Sequence, residues 1–168
     1  PLKFYCIAGE DSGDLHGSNL LKALKSQQAD VHIRGLGGDL METQGMELSA
    51  HVRDINFMGF WEVVRHLGTI RRLFRKGEHE IRDWKPDAII LIDYPGFNLR
   101  IAKFAHALGI PVYYYISPQV WAWKKGRVRK IKAYVQRMMV ILPFEKDFYR
   151  KEGLEVDFVG HPLLDAIG

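Results

Sequence analysis

Short, unbroken apolar runs recur along the chain at residues 4–8, 31–36, 88–92, 112–116 and 138–142, with a weaker one at 156–159. A strand with one wet face alternates apolar and polar residues, whereas a strand buried on both faces reads as a continuous run like these. Between the runs lie segments of helical period, at about 14–27, 60–83, 98–108, 126–136 and 144–152. Strands alternating with helices predict an α/β fold, a Rossmann-like parallel sheet flanked by helices. The punctuation agrees, because Lys85-Pro86-Asp87 and Gly109-Ile110-Pro111 each end a helical segment just before an apolar run.

The length, 168 residues at 47% hydrophobic content, suits one well-filled core, so residues 1–168 are expected to form a single domain. A net charge of +4 favours anionic partners without singling out nucleic acid, for which no recognised motif is present. Cys6 is the only cysteine, which excludes an internal disulfide and a cysteine metal cluster and fits a reducing compartment. The opening residues read as a strand and lack a signal-peptide layout, and no apolar run approaches the roughly 20 residues that span a bilayer. Any membrane contact is therefore expected to be peripheral. No metal and no cofactor are expected, since Glu78-His79-Glu80 completes no metal motif.

In an open parallel sheet the ligand crevice lies beyond the carboxyl ends of the strands. One such loop is Gly9-Glu10-Asp11-Ser12-Gly13-Asp14. Its three carboxylates oppose a phosphate and suit sugar hydroxyls or proton transfer, although Ser12 or Asp14 acting simply as a helix cap is the plainer reading. A second is Asp93, after four aliphatic residues and before Tyr94-Pro95-Gly96-Phe97-Asn98. Partial desolvation there would make Asp93 a better proton acceptor, and a capping role in a Pro-Gly turn stands beside that reading. Asn98 reads as the N-cap of the next helix as readily as a ligand. His161, between Gly160 and Pro162, is expected to shape a turn rather than line the crevice.

Ser117-Pro118-Gln119-Val120-Trp121-Ala122-Trp123 is the most specific string, offering aromatic faces beside polar groups as a sugar or acyl platform, with tryptophans packed under a long loop as the alternative. Lys124, Lys125, Arg127, Arg129, Lys130, Lys132 and Arg137 follow without an intervening acid, either as a solvated face or as a site for anions. Residues 57–76 interleave apolar and basic side chains. Trp61, Val63, Val64, Leu67 and Ile70 form a candidate membrane-contact face, against the alternative of an ordinary core-packed helix with a basic outer side.

Taken in order, Ala8-Gly9-Glu10, Ser12-Gly13-Asp14, Phe57-Met58-Gly59, Lys85-Pro86-Asp87, Asp93, Phe97-Asn98, the tryptophan string, Leu142-Pro143-Phe144-Glu145-Lys146 and Gly160-His161-Pro162 closely resemble the lipid-A-disaccharide synthase family over residues 4–167. Asp11 departs from the pattern, standing where the family carries a small residue. Because the family is about twice this length, the resemblance implies the N-terminal, acceptor-side half of a two-domain B-type glycosyltransferase, with the C-terminal UDP-sugar-binding domain lying outside this chain.

The implied reaction transfers 2,3-diacylglucosamine from UDP to 2,3-diacylglucosamine 1-phosphate, giving a β-1,6 disaccharide and UDP, with the UDP-sugar a substrate rather than a cofactor. Inversion at the sugar needs one base. The matching position makes Asp93 the leading candidate and Glu10 the alternative, with Ser12, Gly13, Asp14, Asn98, Ser117, Gln119, Trp121 and Trp123 as candidate substrate contacts. The resemblance further implies a cytoplasmic enzyme, peripheral on the anionic inner face of a Gram-negative inner membrane, and leaves a homo-oligomer open. Two competing expectations are a freestanding Rossmann-like binding module and one half of a UDP-sugar epimerase.

Overall fold

The computed structural model describes residues 2–9, 11–27, 30–54, 67–116, 133–135, 137–140 and 156–158. These form a seven-stranded, all-parallel sheet in the order β3-β2-β1-β4-β5-β6-β7. In chain order the elements are β1 (Leu2–Ala8), α1 (Asp11–Gln27), β2 (Val31–Gly37), α2 (Asp39–Thr43), β3 (Glu47–His51), a 3-10 turn at Val52–Asp54, α3 (Leu67–Trp84), β4 (Ala88–Ile92), α4 (Pro95–Ala107), β5 (Val112–Ile116), β6 (Arg137–Val140) and β7 (Val156–Phe158). The α/β class and every strand expected from an apolar run are present.

The side-chain period of two sorts the central strands onto two cores. Phe4, Cys6 and Ala8 of β1 join Ala88, Ile90 and Ile92 of β4 under Leu20, Leu21 and Leu24 of α1. Tyr5 and Ile7 join Ile89 and Leu91 on the other face, under Ile81 of α3 and Ile101, Ala102 and Ala105 of α4. Burial on both faces explains why β4 is five consecutive buried aliphatics. It also pushes the Cys6 thiol well above its ordinary pKa, which leaves it an inert core side chain.

Two differences from expectation have physical causes. β3 is an edge strand of partly exposed residues, Glu47-Leu48-Ser49-Ala50-His51, so it carries no apolar run to betray it. α1 starts at Asp11 rather than at residue 14, with Asp11 and Asp14 in its first turn, where carboxylates complement the positive end of the helix dipole. The helix expected at 60–83 is described as Leu67–Trp84, and the expected helices at 126–136 and 144–152 lie almost wholly outside the described residues.

The strand order reverses direction between β1 and β4. Chain leaving β1 and chain leaving β4 therefore cross to opposite faces of the sheet, and a crevice opens between their carboxyl ends. The structure puts Gly9 and Asp93 on either side of that opening.

Candidate active site at the sheet switch point

Asp93 follows the last residue of β4 and is buried to 8% exposure. Its backbone lies in the left-handed region, with φ of 46°, and Tyr94 follows at 49°. Two successive non-glycine residues there cost about 1–3 kcal/mol each, a conformation that persists only when its surroundings enforce it. The enforcement is visible. The Asp93 N–H donates to the Tyr115 carbonyl at 3.0 Å, and the Asp93 carbonyl accepts from the Tyr114 hydroxyl at 2.6 Å and from Asn98 Nδ2 at 2.8 Å.

Asn98 is wholly buried, and its amide also reaches the carbonyls of Ile7 and Ile92, each at 3.3 Å. Strands that part at a switch point leave carbonyls without ladder partners, and one amide here serves both strands. Asn98 is not the helix N-cap. That position belongs to Tyr94, with Pro95 next as the first helical residue and the Asn98 N–H donating to the Tyr94 carbonyl at 3.0 Å.

The opposite wall is equally built. Gly9 admits the Tyr94 ring, since a Cβ at Gly9 would stand 2.5 Å from ring carbons. Gly13 is buried against Ala8 and Ile92, its absent side chain letting α1 sit close to the sheet. Asp14 accepts backbone N–H groups from Gly38 at 2.9 Å, Leu40 at 3.1 Å and Met41 at 3.0 Å. It therefore caps α2 from a neighbouring helix, where Gly38 at the N-cap has no side chain to do so. Gly13, Asp14 and Asn98 thus each have a task inside the fold. Glu10, the side chain of Ser12, Ser117, Gln119, Trp121 and Trp123 lie outside the described residues, as does His161.

Sequence reasoning missed two groups, one close to Asp93 and one packed against the first. The phenol of Tyr115 is pushed above its ordinary pKa, first by burial and then by the negative charge of Asp93 nearby. The His16 ring, one turn along α1, is 6.2 Å from the Tyr115 ring. Their only sequence signal is position, one at the carboxyl end of β5 and the other early in the helix after β1. A carboxylate, a phenol and an imidazole so placed can accept a proton and hydrogen-bond a polyhydroxylated ligand.

Of the candidate membrane face, Trp61, Val63 and Val64 lie outside the described residues. Leu67 is 46% exposed, whereas Ile70 is half-buried and packs against the core with Leu73 and Phe74, so Ile70 is not free on an outer face. Among the described residues no helix is long and apolar enough to cross a membrane.

Comparison with known proteins follows the same outline. The family model for lipid-A-disaccharide synthetase matches residues 4–168. The chain is 48% identical over 161 residues to the lipid-A-disaccharide synthase of Syntrophus aciditrophicus, covering 96% of this chain and 42% of the relative. It is 49% identical over 162 residues to that of Acidobacterium capsulatum, covering 96% and 40%. The chain thus spans less than half the length of these curated relatives. Among solved structures, a UDP-GlcNAc 2-epimerase from Neisseria meningitidis bound to UDP-GlcNAc superposes with a TM-score of 0.67 at 12% identity, over 99% of this chain and 48% of that one. The calicheamicin glycosyltransferase CalG4 superposes with a TM-score of 0.56 at 15% identity, over 95% and 52%. At such identities these two likenesses speak for the fold alone.

Proposed function

The chain belongs to the lipid-A-disaccharide synthase family, and from that premise we propose that it supplies the acceptor half of an inverting glycosyltransferase. The full-length protein would transfer 2,3-diacylglucosamine from UDP to 2,3-diacylglucosamine 1-phosphate, forming a β-1,6 linkage and releasing UDP. The observation that carries the reading is Asp93, buried at the sheet switch point on a backbone turn pinned by Tyr114 and Asn98. In this reading the Asp93 carboxylate takes the proton of the acceptor 6-hydroxyl as that oxygen attacks the sugar carbon bearing UDP. A single in-line displacement inverts the centre and needs no covalent intermediate.

Pinning the Asp93 carbonyl and N–H fixes where the carboxylate starts, so little reorganisation is needed as the proton moves. Glu10 is the alternative base. Ser12, Ser117, Gln119, Trp121 and Trp123 are proposed to contact the sugar or its acyl chains, and no cofactor or metal takes part.

The assay is direct. Full-length protein incubated with both substrates should yield the disaccharide and UDP, with the linkage read by NMR, while residues 1–168 alone should give no turnover. Epimerisation of UDP-GlcNAc without disaccharide would reject the reading in favour of an epimerase half, and turnover by the fragment would reject the half-enzyme assignment.

Acylated substrates call for a peripheral site on the anionic cytoplasmic face of the inner membrane. The exposure of Leu67 at the start of α3 supports a contact face there with Trp61, Val63 and Val64. Serine at Val63, Val64 and Leu67 should weaken flotation of the full-length protein with anionic liposomes. Undiminished flotation of the folded triple variant would remove this face from the proposal.

A further inference from the structure

α3 and α4 do not close upon each other along their outer sides. A hollow of 610 Å³ between them is floored by Phe74, Phe97 and Tyr94 and walled by Arg71, Arg75 and Arg100. A second hollow of 560 Å³ shares Phe74, Glu78 and Arg100 with the first and continues past Phe104 to Lys103. Together they make an elongated groove that begins at Tyr94, the residue next to Asp93.

The three arginines come from two helices, and among the described residues no carboxylate forms an ion pair with any of them. Among the described residues that line the groove, Glu78 is the one acid. Arg100 is already oriented, its guanidinium stacked 4.7 Å from the Phe74 ring centroid, and Phe74 meets Phe97 edge-on at 5.6 Å. Guanidinium forks that share one aromatic-lined hollow fit a doubly charged tetrahedral oxyanion joined to an apolar body. A carboxylate would leave donors unused, and a nucleic-acid strand would need a longer cationic track than a recess between two helices provides.

We propose that this groove binds the phosphomonoester end of the lipid acceptor, with Arg71, Arg75 and Arg100 around the phosphate and the apolar body along Phe74 and Phe97. The proposal rests on the glycosyltransferase reading for the identity of the acceptor and extends it by assigning the phosphate subsite. Tyr94 lines the same hollow, so binding there would hold the acceptor sugar beside the proposed base, and anion recognition would also set its register.

The test compares 2,3-diacylglucosamine 1-phosphate with its dephosphorylated analogue as acceptors for the full-length protein. Wild type should prefer the phosphorylated acceptor by tenfold or more in kcat/KM. Arg71→Ala, Arg75→Ala and Arg100→Ala should each raise its KM about tenfold, since one charge-assisted contact is worth about a decade in binding. The KM for UDP-2,3-diacylglucosamine and the rate with the analogue should stay constant. Lysine at 71 or 100 should restore only part of the preference, because a point charge lacks the fork.

An undiminished preference in the folded variants would overturn the proposal. So would loss of flotation with phosphatidylglycerol vesicles while the preference persists, since the arginines would then serve bilayer headgroups. Should wild type make no disaccharide, the transfer reading fails by itself. Calorimetric binding of 2,3-diacylglucosamine 1-phosphate to wild type and to the triple alanine variant still decides the groove: equal affinity refutes it, and loss confined to the variant supports it.

Discussion

Asp93→Asn in the full-length protein is expected to lower kcat by about 10²–10⁴ while leaving acceptor and donor binding nearly intact, the loss typical of removing a positioned general base. The variant isolates chemistry from structure for a specific reason. Residue 93 sits at φ 46°, and asparagine tolerates the left-handed region better than other non-glycine residues, so the turn at the end of β4 should survive. The contacts that pin this turn use the backbone N–H and carbonyl of residue 93, which the substitution retains. What is lost is an oxygen able to take a proton.

Steady-state kinetics over a range of pH would check this, with kcat and kcat/KM expected to fall together. A variant retaining more than about a tenth of wild-type kcat would place the base elsewhere, since a general base contributes about a hundredfold or more. Glu10→Gln would then be the substitution to examine.

The largest stability effect is expected at Gly35→Ala. Gly35 pairs with Cys6 across β2 and β1, next to the register shift between Gly35 and Leu36 in the pairing of β2 with β3. Its φ is 149°, and a Cβ would stand 1.9 Å from the Cys6 carbonyl oxygen. No rotamer relieves a clash between a Cβ and backbone in the middle of a buried sheet. The loss should be about 3 kcal/mol or more, in the range reserved for backbone strain and broken buried hydrogen bonds.

Gly68→Ala is the matched control. Among the described residues its Cβ would meet nothing within 4 Å, and alanine is the better helix former, so stability should stay within about 1 kcal/mol of wild type or rise slightly. Urea midpoints of the two variants, read beside soluble yield, separate the cases. A wild-type midpoint for Gly35→Ala would show that the sheet relaxes at this register shift to accept a side chain.

Asp14 and Asn98 show how a motif residue can build the fold around a site. Asp14 lies within the string Ser12-Gly13-Asp14, and its carboxylate ties α1 to α2 through three backbone N–H groups. Asn98 spends its amide on three carbonyls around the switch point. Each is a short polar side chain next to a glycine-rich or proline-containing turn, so in sequence each reads equally as a cap or a ligand. Only the positions of Gly38 and Ile7, distant along the chain, reveal the hydrogen bonds that each makes within the fold.

The groove between α3 and α4 was hidden for a related reason. Arg71 and Arg75 read as the basic outer side of an amphipathic helix, and Arg100 belongs to another helix beyond β4. Nothing in their spacing says that they converge. The packing of α3 against α4 brings them to one recess and turns Phe74 and Phe97 into its floor.

The sequence by itself determined the α/β class, the strands buried on both faces, the family and the place of Asp93 at a strand's carboxyl end. Those follow from local period and from ordered strings, which need no knowledge of what is distant in the chain. Tertiary structure alone decided the edge strand β3, the left-handed turn at Asp93 and Tyr94, the company of Tyr115 and His16, and the arginine groove. Each depends on which elements become neighbours, and the sheet order β3-β2-β1-β4-β5-β6-β7 brings together residues that no local pattern links.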